Sequence, residues 1–289
     1  MSRSLVVEFT KMEGAGNDFL VVDNRWYRFS DEELSDLAAR WCPRRTGVGA
    51  DGVLAFNPVD DPGASSLDFR MRYVNADGSF ATMCANGARC LARFAVNSGW
   101  EGPEVAFETD AGIYHARVGE ASDDPVRLYV PDAQNVNENV TLDDPLPGSI
   151  DTVHSVSTGT PHLVVFVPDA KALSDEEVET WGRALRSDPA VQPEGANANF
   201  VSVTSPPDGE PYLTVRTYEK GVEAETLSCG TGILAAAVLA QATGRADANP
   251  LRIITRGGEF IVGTERTGRG EERYLEGPVS TVFRGTIRL

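Results

Sequence analysis

Stretches in which apolar and polar residues alternate, or in which β-branched residues crowd together, recur along the chain. VRLYV (126–130), LVVFV (163–167), NFVSV (199–203), LTVRTY (213–218), LRIITR (251–256), EFIVG (259–263) and TVFRGTIRL (281–289) all predict strands. Two segments with helical spacing, DEELSDLAARW (31–41) and EEVETWGRAL (176–185), open on acidic residues behind Ser30 and Ser174, which suit N-caps. Two further runs, LARFAV (91–96) and ILAAAVLA (233–240), predict helices buried on most sides. The polar, proline-containing GEASDDPVR (119–127) reads as a linker, and SPPDGEP (205–211) as a hairpin tip.

The buried runs disclose a repeat. Met83-Cys84-Ala85-Asn86-Gly87-Ala88-Arg89 opens the first and Ser228-Cys229-Gly230-Thr231-Gly232 the second, with the cysteines 145 residues apart. Each follows an extended segment, DFRMRYV or YLTVRTY, and a polar turn. Upstream, GAGNDFLVVD (14–23) is echoed by STGTPHLVVFV (157–167) at an offset of 143, and GADGVLAF (49–56) by ANANFVSV (196–203) at 147. Three matches in one order predict duplication and an α/β (α+β) chain of two related lobes. The lobes are expected at 1–124, containing Cys84 and completed by strand 279–289, and at 125–278, containing Cys229.

Charge then removes several classes of partner. The 289 residues are 41% apolar and 24% charged, an ordinary globular balance, but the net charge is -17. Such a field repels phosphate backbones and anionic lipid, so neither nucleic acid nor membrane is an expected partner. MSRSLVVEFTKMEG carries too short an apolar run for a secretory segment, and no later stretch approaches the ~20 apolar residues of a spanning helix, so a cytoplasmic location is expected. Four cysteines are too few for a disulfide scaffold. The three histidines, His115, His154 and His162, lack ligand spacing, so no metal is expected.

Chemistry therefore concentrates at the two cysteine-to-helix junctions. A cysteine just ahead of a helix lies near backbone N–H groups outside the helical ladder and the positive end of the macrodipole, which favour thiolate. Gly87, Gly230 and Gly232 let a carboxylate approach those donors closely. Two such sites gripping one carboxylate suit removal of a proton from one face of a carbon and delivery of another to the opposite face. Cys42 and Cys90 read as packing residues. A thiol hydrolase using His162 is the competing reading, but it leaves one of the paired cysteines unexplained.

GAGNDF (14–19), GVGADG (47–52), NADGSFATMCANGARC (75–90), GTPH (159–162), GANANF (195–200) and YEKGVEAETLSCGTG (218–232) together resemble the ordered signature blocks of the diaminopimelate epimerase family. The resemblance spans nearly the whole chain. It implies a cofactor-independent isomerase that interconverts LL- and meso-diaminopimelate by two bases, on the route to lysine and peptidoglycan. The implied fold has two similar lobes, each a curled, mostly antiparallel sheet around a central helix, with the active site in the cleft between them. Cys84 and Cys229 become the bases, one thiolate and one thiol, and His162 and Glu219 adjoin them. Asn17, Asn75, Thr160, Asn197 and Lys220 fall at substrate-binding positions. Ala85 with Asn86, and Gly230 with Thr231, match the cradle of the reacting carboxylate. The substrate is thus a small molecule, and a homodimer stays open.

The chain departs from the family pattern in a few places. Thr160 replaces a common asparagine, Lys220 a common arginine and Ala85 a common glycine, and GVEAET carries one residue more than GAGET. Thr160 and Lys220 map to the unreactive end of the substrate, and lysine lacks the planar fork of arginine. A proline or hydroxyproline racemase shares the two-cysteine mechanism but usually shows MCGHG where this chain has MCANGAR. A PhzF-like isomerase is disfavoured by the paired cysteines, and a binding protein without catalysis is the remaining alternative.

Overall fold

The computed structural model describes residues 5–59, 66–143 and 152–289. The first four residues of the N-terminal stretch read above lie outside them. The backbone divides into two units, Met1–Tyr129 with Gly277–Leu289, and Val130–Glu276.

In the first unit β1 (Val6–Gly14) and β2 (Asn17–Asp23) form an antiparallel hairpin. The chain crosses through α1 (Asn24–Tyr27) and α2 (Asp31–Trp41) to β3 (Gly52–Asn57), parallel to β2. β4 (Phe69–Asn75) returns antiparallel to β3, and β5 (Phe80–Ala81) folds back on it. A second crossover, α3 (Ala85–Asn97), leads to β6 (Glu104–Thr109), parallel to β4, and then to the antiparallel β7 (Gly112–Val118) and β8 (Val126–Val130).

The second unit runs through the same plan. After β9 (Gln134–Val140) and β10 (Val153–Ser157), β11 (Pro161–Phe166) leads through α4 (Asp175–Ser187) to the parallel β12 (Asn197–Thr204). β13 (Tyr212–Glu219) is antiparallel to β12, so the segment read as a hairpin tip does join the two, and β14 (Ala224–Thr226) folds back on β13. α5 (Gly230–Ala242) then crosses to β15 (Leu251–Thr255), parallel to β13, followed by the antiparallel β16 (Gly258–Thr267) and β17 (Gly270–Gly277). β18 (Ser280–Arg288) pairs along β1 in the first unit.

The duplication extends to details that carry physical information. α2 and α4 both begin with capping boxes, Ser30 with Glu33 and Ser174 with Glu177. Both hairpins that follow the crossover helices close with a threonine hydroxyl donating to a glycine carbonyl at 3.0 Å, Thr109 to Gly112 and Thr255 to Gly258. Strand register corrects one offset: Gly52 pairs with Phe19 as Asn197 pairs with His162, an equivalence of 145 residues rather than 147.

In each unit the strands covered by two crossover helices are near-continuously apolar. In the first unit Leu34, Leu37, Ala38 and Trp41 of α2 pack on Leu20, Val22, Val53 and Val74, while α3 lies against β1, β2, β3, β4 and β7. In the second, Val178 and Leu185 of α4 pack on Leu163, Val165, Phe200 and Tyr218, and α5 lies against β10, β11, β12, β13 and β15. Residues Ile233–Ala240 of α5 are all buried, as the uninterrupted apolar run requires. α3 instead buries Arg89 and Arg93. Arg93 donates to the carbonyls of Gly119 and Asp124 at 2.7 and 2.9 Å. The stretch read as a linker is therefore a pinned turn between the paired β7 and β8.

Candidate active site

The two helices that follow the paired cysteines start in the same way. Cys84 is the N-cap of α3 (φ -139°, ψ 119°) and Cys229 that of α5 (φ -123°, ψ 111°), and neither sulfur is consumed as a side-chain cap. The first helical bonds run from Ala88 N–H to Cys84 C=O and from Ile233 N–H to Cys229 C=O. The amides of Ala85 and Asn86, and of Gly230 and Thr231, therefore precede the ladder, where an anion is favoured.

None of the four cysteines forms a disulfide, but their settings differ. Cys42 and Cys90 are buried in the core, and burial pushes the Cys42 thiol up to about 12 and the Cys90 thiol upward as well. Both are held as inert thiols. The Cys84 side chain is half-buried, and its thiol donates to Asn17 Oδ1 at 3.6 Å. Cys229 is 7% exposed, with Thr231 Oγ1 3.3 Å from its sulfur. The Thr231 carbonyl in turn accepts from the Thr158 hydroxyl at 2.9 Å.

Around Cys84 the first unit gathers Asn17, Ala85 and Asn86. Asn17 Nδ2 donates to Asp51 Oδ2 at 2.6 Å, and Asp51 also accepts from Arg44 at 2.6 Å. Asn86 Oδ1 accepts from the buried Arg89 guanidinium at 2.7 Å. Burial draws Arg89 down to about 10, with Cys90, Cys84 and Glu13 acting in the opposite direction. Gly14, the first residue of GAGNDF and the last of β1, allows a close approach: a Cβ there would stand 3.2 Å from Asn86 O and Cys90 Sγ. Asn75 ends β4, where its amide donates to Ser79 Oγ at 3.0 Å in the turn toward β5.

The second unit sets a polar row at the corresponding strand ends. His162 on β11 pairs with Asn197 on β12, and the β12–β13 ladder brings Glu219 to its end beside Asn197. Asn197 Oδ1 accepts from Lys220 N–H at 2.8 Å, which turns its Nδ2 toward His162 Nε2 at 3.4 Å. Asn199 Nδ2 donates to Leu163 C=O at 2.9 Å and faces His162 Nδ1 at 3.1 Å. Each ring nitrogen thus faces a carboxamide nitrogen: a neutral ring can accept from one of them at its unprotonated nitrogen, whereas an imidazolium could accept from neither. Full burial, with Lys220 in support, drives His162 down to about 3. A neutral ring so engaged is a poor activator for a Cys–His hydrolase. Burial also pushes the Glu219 carboxyl upward. Lys220 Nζ donates to Glu194 C=O at 3.1 Å, and Thr160 lies half-buried in the turn before β11, its carbonyl accepting from Thr158 N–H at 3.2 Å.

Sequence reasoning missed Asp51, Arg44 and Asn199. Asp51 and Asn199 lie inside the signature blocks, and a buried asparagine alternating with Asn197 along NAN was the available signal. Asn199 also explains Gly232, since a Cβ there would stand 2.4 Å from Asn199 Oδ1 and 3.1 Å from Thr217 Oγ1. Alanine ordinarily favours a helix interior over glycine by about 1 kcal/mol. Gly232→Ala is nevertheless expected to destabilise by about 1–3 kcal/mol, read as a lower urea midpoint, because Asn199 is pinned on three sides. An unchanged or raised midpoint would show that Asn199 yields freely.

The family model for diaminopimelate epimerase matches residues 9–134 and 154–282. The chain belongs to the diaminopimelate epimerase family. A diaminopimelate epimerase of Aquifex aeolicus is 37% identical over 97% of this chain and 98% of its own length. Among solved structures, a phenazine biosynthesis protein of the PhzF family from Bacillus anthracis superposes with a TM-score of 0.73 at 14% identity, covering 99% of this chain and 100% of that one. A hydroxyproline epimerase from Agrobacterium vitis gives 0.67 at 18% identity, covering 100% and 93%. These two likenesses concern the fold alone, the mixed α/β plan of two similar lobes expected from the repeat. Among the described residues of this family member no helix is long and apolar enough to cross a membrane, and no His, Cys, Asp and Glu cluster could hold a metal ion.

Proposed function

We propose that the chain is a diaminopimelate epimerase that interconverts the LL and meso forms with Cys84 and Cys229 as its two bases and no cofactor. The observation that carries this reading is the pair of N-cap cysteines at equivalent points of a duplicated fold, within a chain that matches the family along most of its length. The amides of Ala85, Asn86, Gly230 and Thr231 bind the α-carboxylate, where charge builds as the α-proton leaves. One sulfur, as thiolate, takes the α-proton. The other, as thiol, gives its proton to the opposite face, so the enzyme ends with the two protonation states exchanged and the substrate inverted.

His162 serves as a neutral hydrogen-bonding scaffold beside this centre, and Asn17, Asn75, Thr160, Asn197, Glu219 and Lys220 hold the remaining polar groups of the substrate. A cytoplasmic setting belongs to the same reading, because the two-base reaction needs both thiols reduced. Incubation with LL-diaminopimelate in D2O tests the assignment. Deuterium at one α-carbon with conversion to the meso form is expected. Absence of exchange, or racemisation of proline at an equal rate, would overturn it.

A further inference from the structure

We propose that Asp51 is a positioning residue for the Cys84 proton: it fixes the amide sense of Asn17 so that the carbonyl, not the NH2 group, receives the Cys84 thiol. The role rests on the reading of Cys84 as a base. Asp51 Oδ1 is held by Arg44 Nη2 at 2.6 Å, while Oδ2 accepts from Asp18 N–H at 3.1 Å and from Asn17 Nδ2 at 2.6 Å. A carboxylate paired to a guanidinium has only acceptors to offer, so the edge of Asn17 that meets it must be the NH2. The opposite edge, Oδ1, is then compelled to face the sulfur, 3.6 Å away.

Asp51 is itself anchored. Arg44 reaches Asp18 at 2.7 Å as well as Asp51, and the buried Lys11 donates to Asp18 and to the Gly49 carbonyl just ahead of Asp51. Burial acts most strongly to raise the Asp18 carboxyl, yet these cations hold it down to about 2. The amide sense of Asn17 is thus determined by a network spanning β1, β2 and the approach to β3.

A thiol can donate to a carbonyl, whereas a thiolate finds only repulsion there. The Asn17 contact therefore retains the proton on Cys84, as a counterweight to the N-terminus of α3 and to the Arg89 cation, both of which favour its loss. Charged and titratable groups around this sulfur include Arg89 and Cys90 from α3 and, beside them, Glu13 from β1, with Asp18, Asp51, Lys11 and Arg44 joined through the network. A residue that must give a proton in one direction and take one in the other gains from being held near balance. The second unit does not repeat this pair of residues. Thr160 and Ala196 stand at the places of Asn17 and Asp51, and Cys229 meets the Thr231 hydroxyl, which can donate to a thiolate as readily as it accepts from a thiol.

Iodoacetamide alkylation of the full chain at pH 7, followed at each cysteine by peptide mass spectrometry, tests the proposal without substrate. Asp51→Asn frees the Asn17 amide to turn its NH2 toward the sulfur, and Asn17→Leu removes the acceptor while keeping the Asp51 charge. Both are expected to speed alkylation of Cys84 about three- to tenfold and to leave Cys229 unchanged. If Asp51 acted by charge alone, Asn17→Leu would not speed the reaction. A Cys84 rate within twofold of the parent in either variant, or equal changes at Cys229, overturns the proposal. Failure of the deuterium experiment would instead remove the epimerase reading and leave the alkylation result standing as a property of the Cys84 site.

Discussion

Replacing either Cys84 or Cys229 with serine is expected to lower the rate of epimerisation by about 10²–10⁴-fold in both directions. A serine hydroxyl at the start of α3 or α5 fits the space of the thiol, but it is far too weak an acid to exist as the alkoxide the reaction would need. Inversion uses both groups in every turnover, one to take a proton and one to give it, so loss of either blocks the forward and reverse reactions alike. Exchange without inversion is a different matter. The surviving thiol can still remove a proton from its own face and return a solvent-derived one, so each variant should label only one of the two stereoisomers in D2O. Cys42→Ser and Cys90→Ser are expected to leave turnover intact and to lower stability by about 1–3 kcal/mol, the cost of burying a hydroxyl in an apolar core. Near-normal epimerisation by either of the first two variants would remove the two-base mechanism.

The cysteine junctions were readable in the sequence because their signals are local. A cysteine, a glycine or two and an unbroken apolar run specify a helix N-terminus almost without help from the rest of the chain, and Ser30 and Ser174 mark α2 and α4 as plainly. The offset of β3 against β12 was less readable. Gly- and Asn-rich blocks align nearly as well at two shifts, and only the pairing of Gly52 with Phe19 and of Asn197 with His162 distinguishes them. β9 and β17 escaped for another reason. QNVNENV and GEERYLEG lack the apolar alternation of a half-buried strand, and β9 is exposed along almost its whole length, so its pairing with β10 is a tertiary outcome rather than a local preference. Asp51 and Asn199 escaped because they act through other residues. Nothing in their own sequence neighbourhood shows that Asp51 turns an asparagine 34 positions upstream, or that Asn199 spans β11 and β13.

His162 should dominate the acid lability of the fold. Its pKa falls from 6.5 to about 3 through burial, so between those values the unfolded chain binds a proton that the native protein refuses. Its contribution to stability is complete above pH 6.5 and falls as the pH drops below that value, by about 1.4 kcal/mol per unit, or about 2–3 kcal/mol by pH 4.5. His154, buried on β10 and also shifted downward by burial, adds to the same slope. Two carboxyls do not account for it. Asp18, lowered to about 2, loses its contribution only below its ordinary 3.8, and Glu219, raised by burial, is relieved as the pH falls through its native value. His162→Gln retains an acceptor for Asn199 and cannot titrate. Urea unfolding of the two proteins from pH 7.5 to 4.5 should show the variant less stable at neutral pH but with a slope shallower by close to one proton between pH 4.5 and 6.5. The same comparison bears on mechanism. If the slope is unchanged, His162 is already protonated in the native state across that range, and the ring is available as an acid rather than a neutral scaffold.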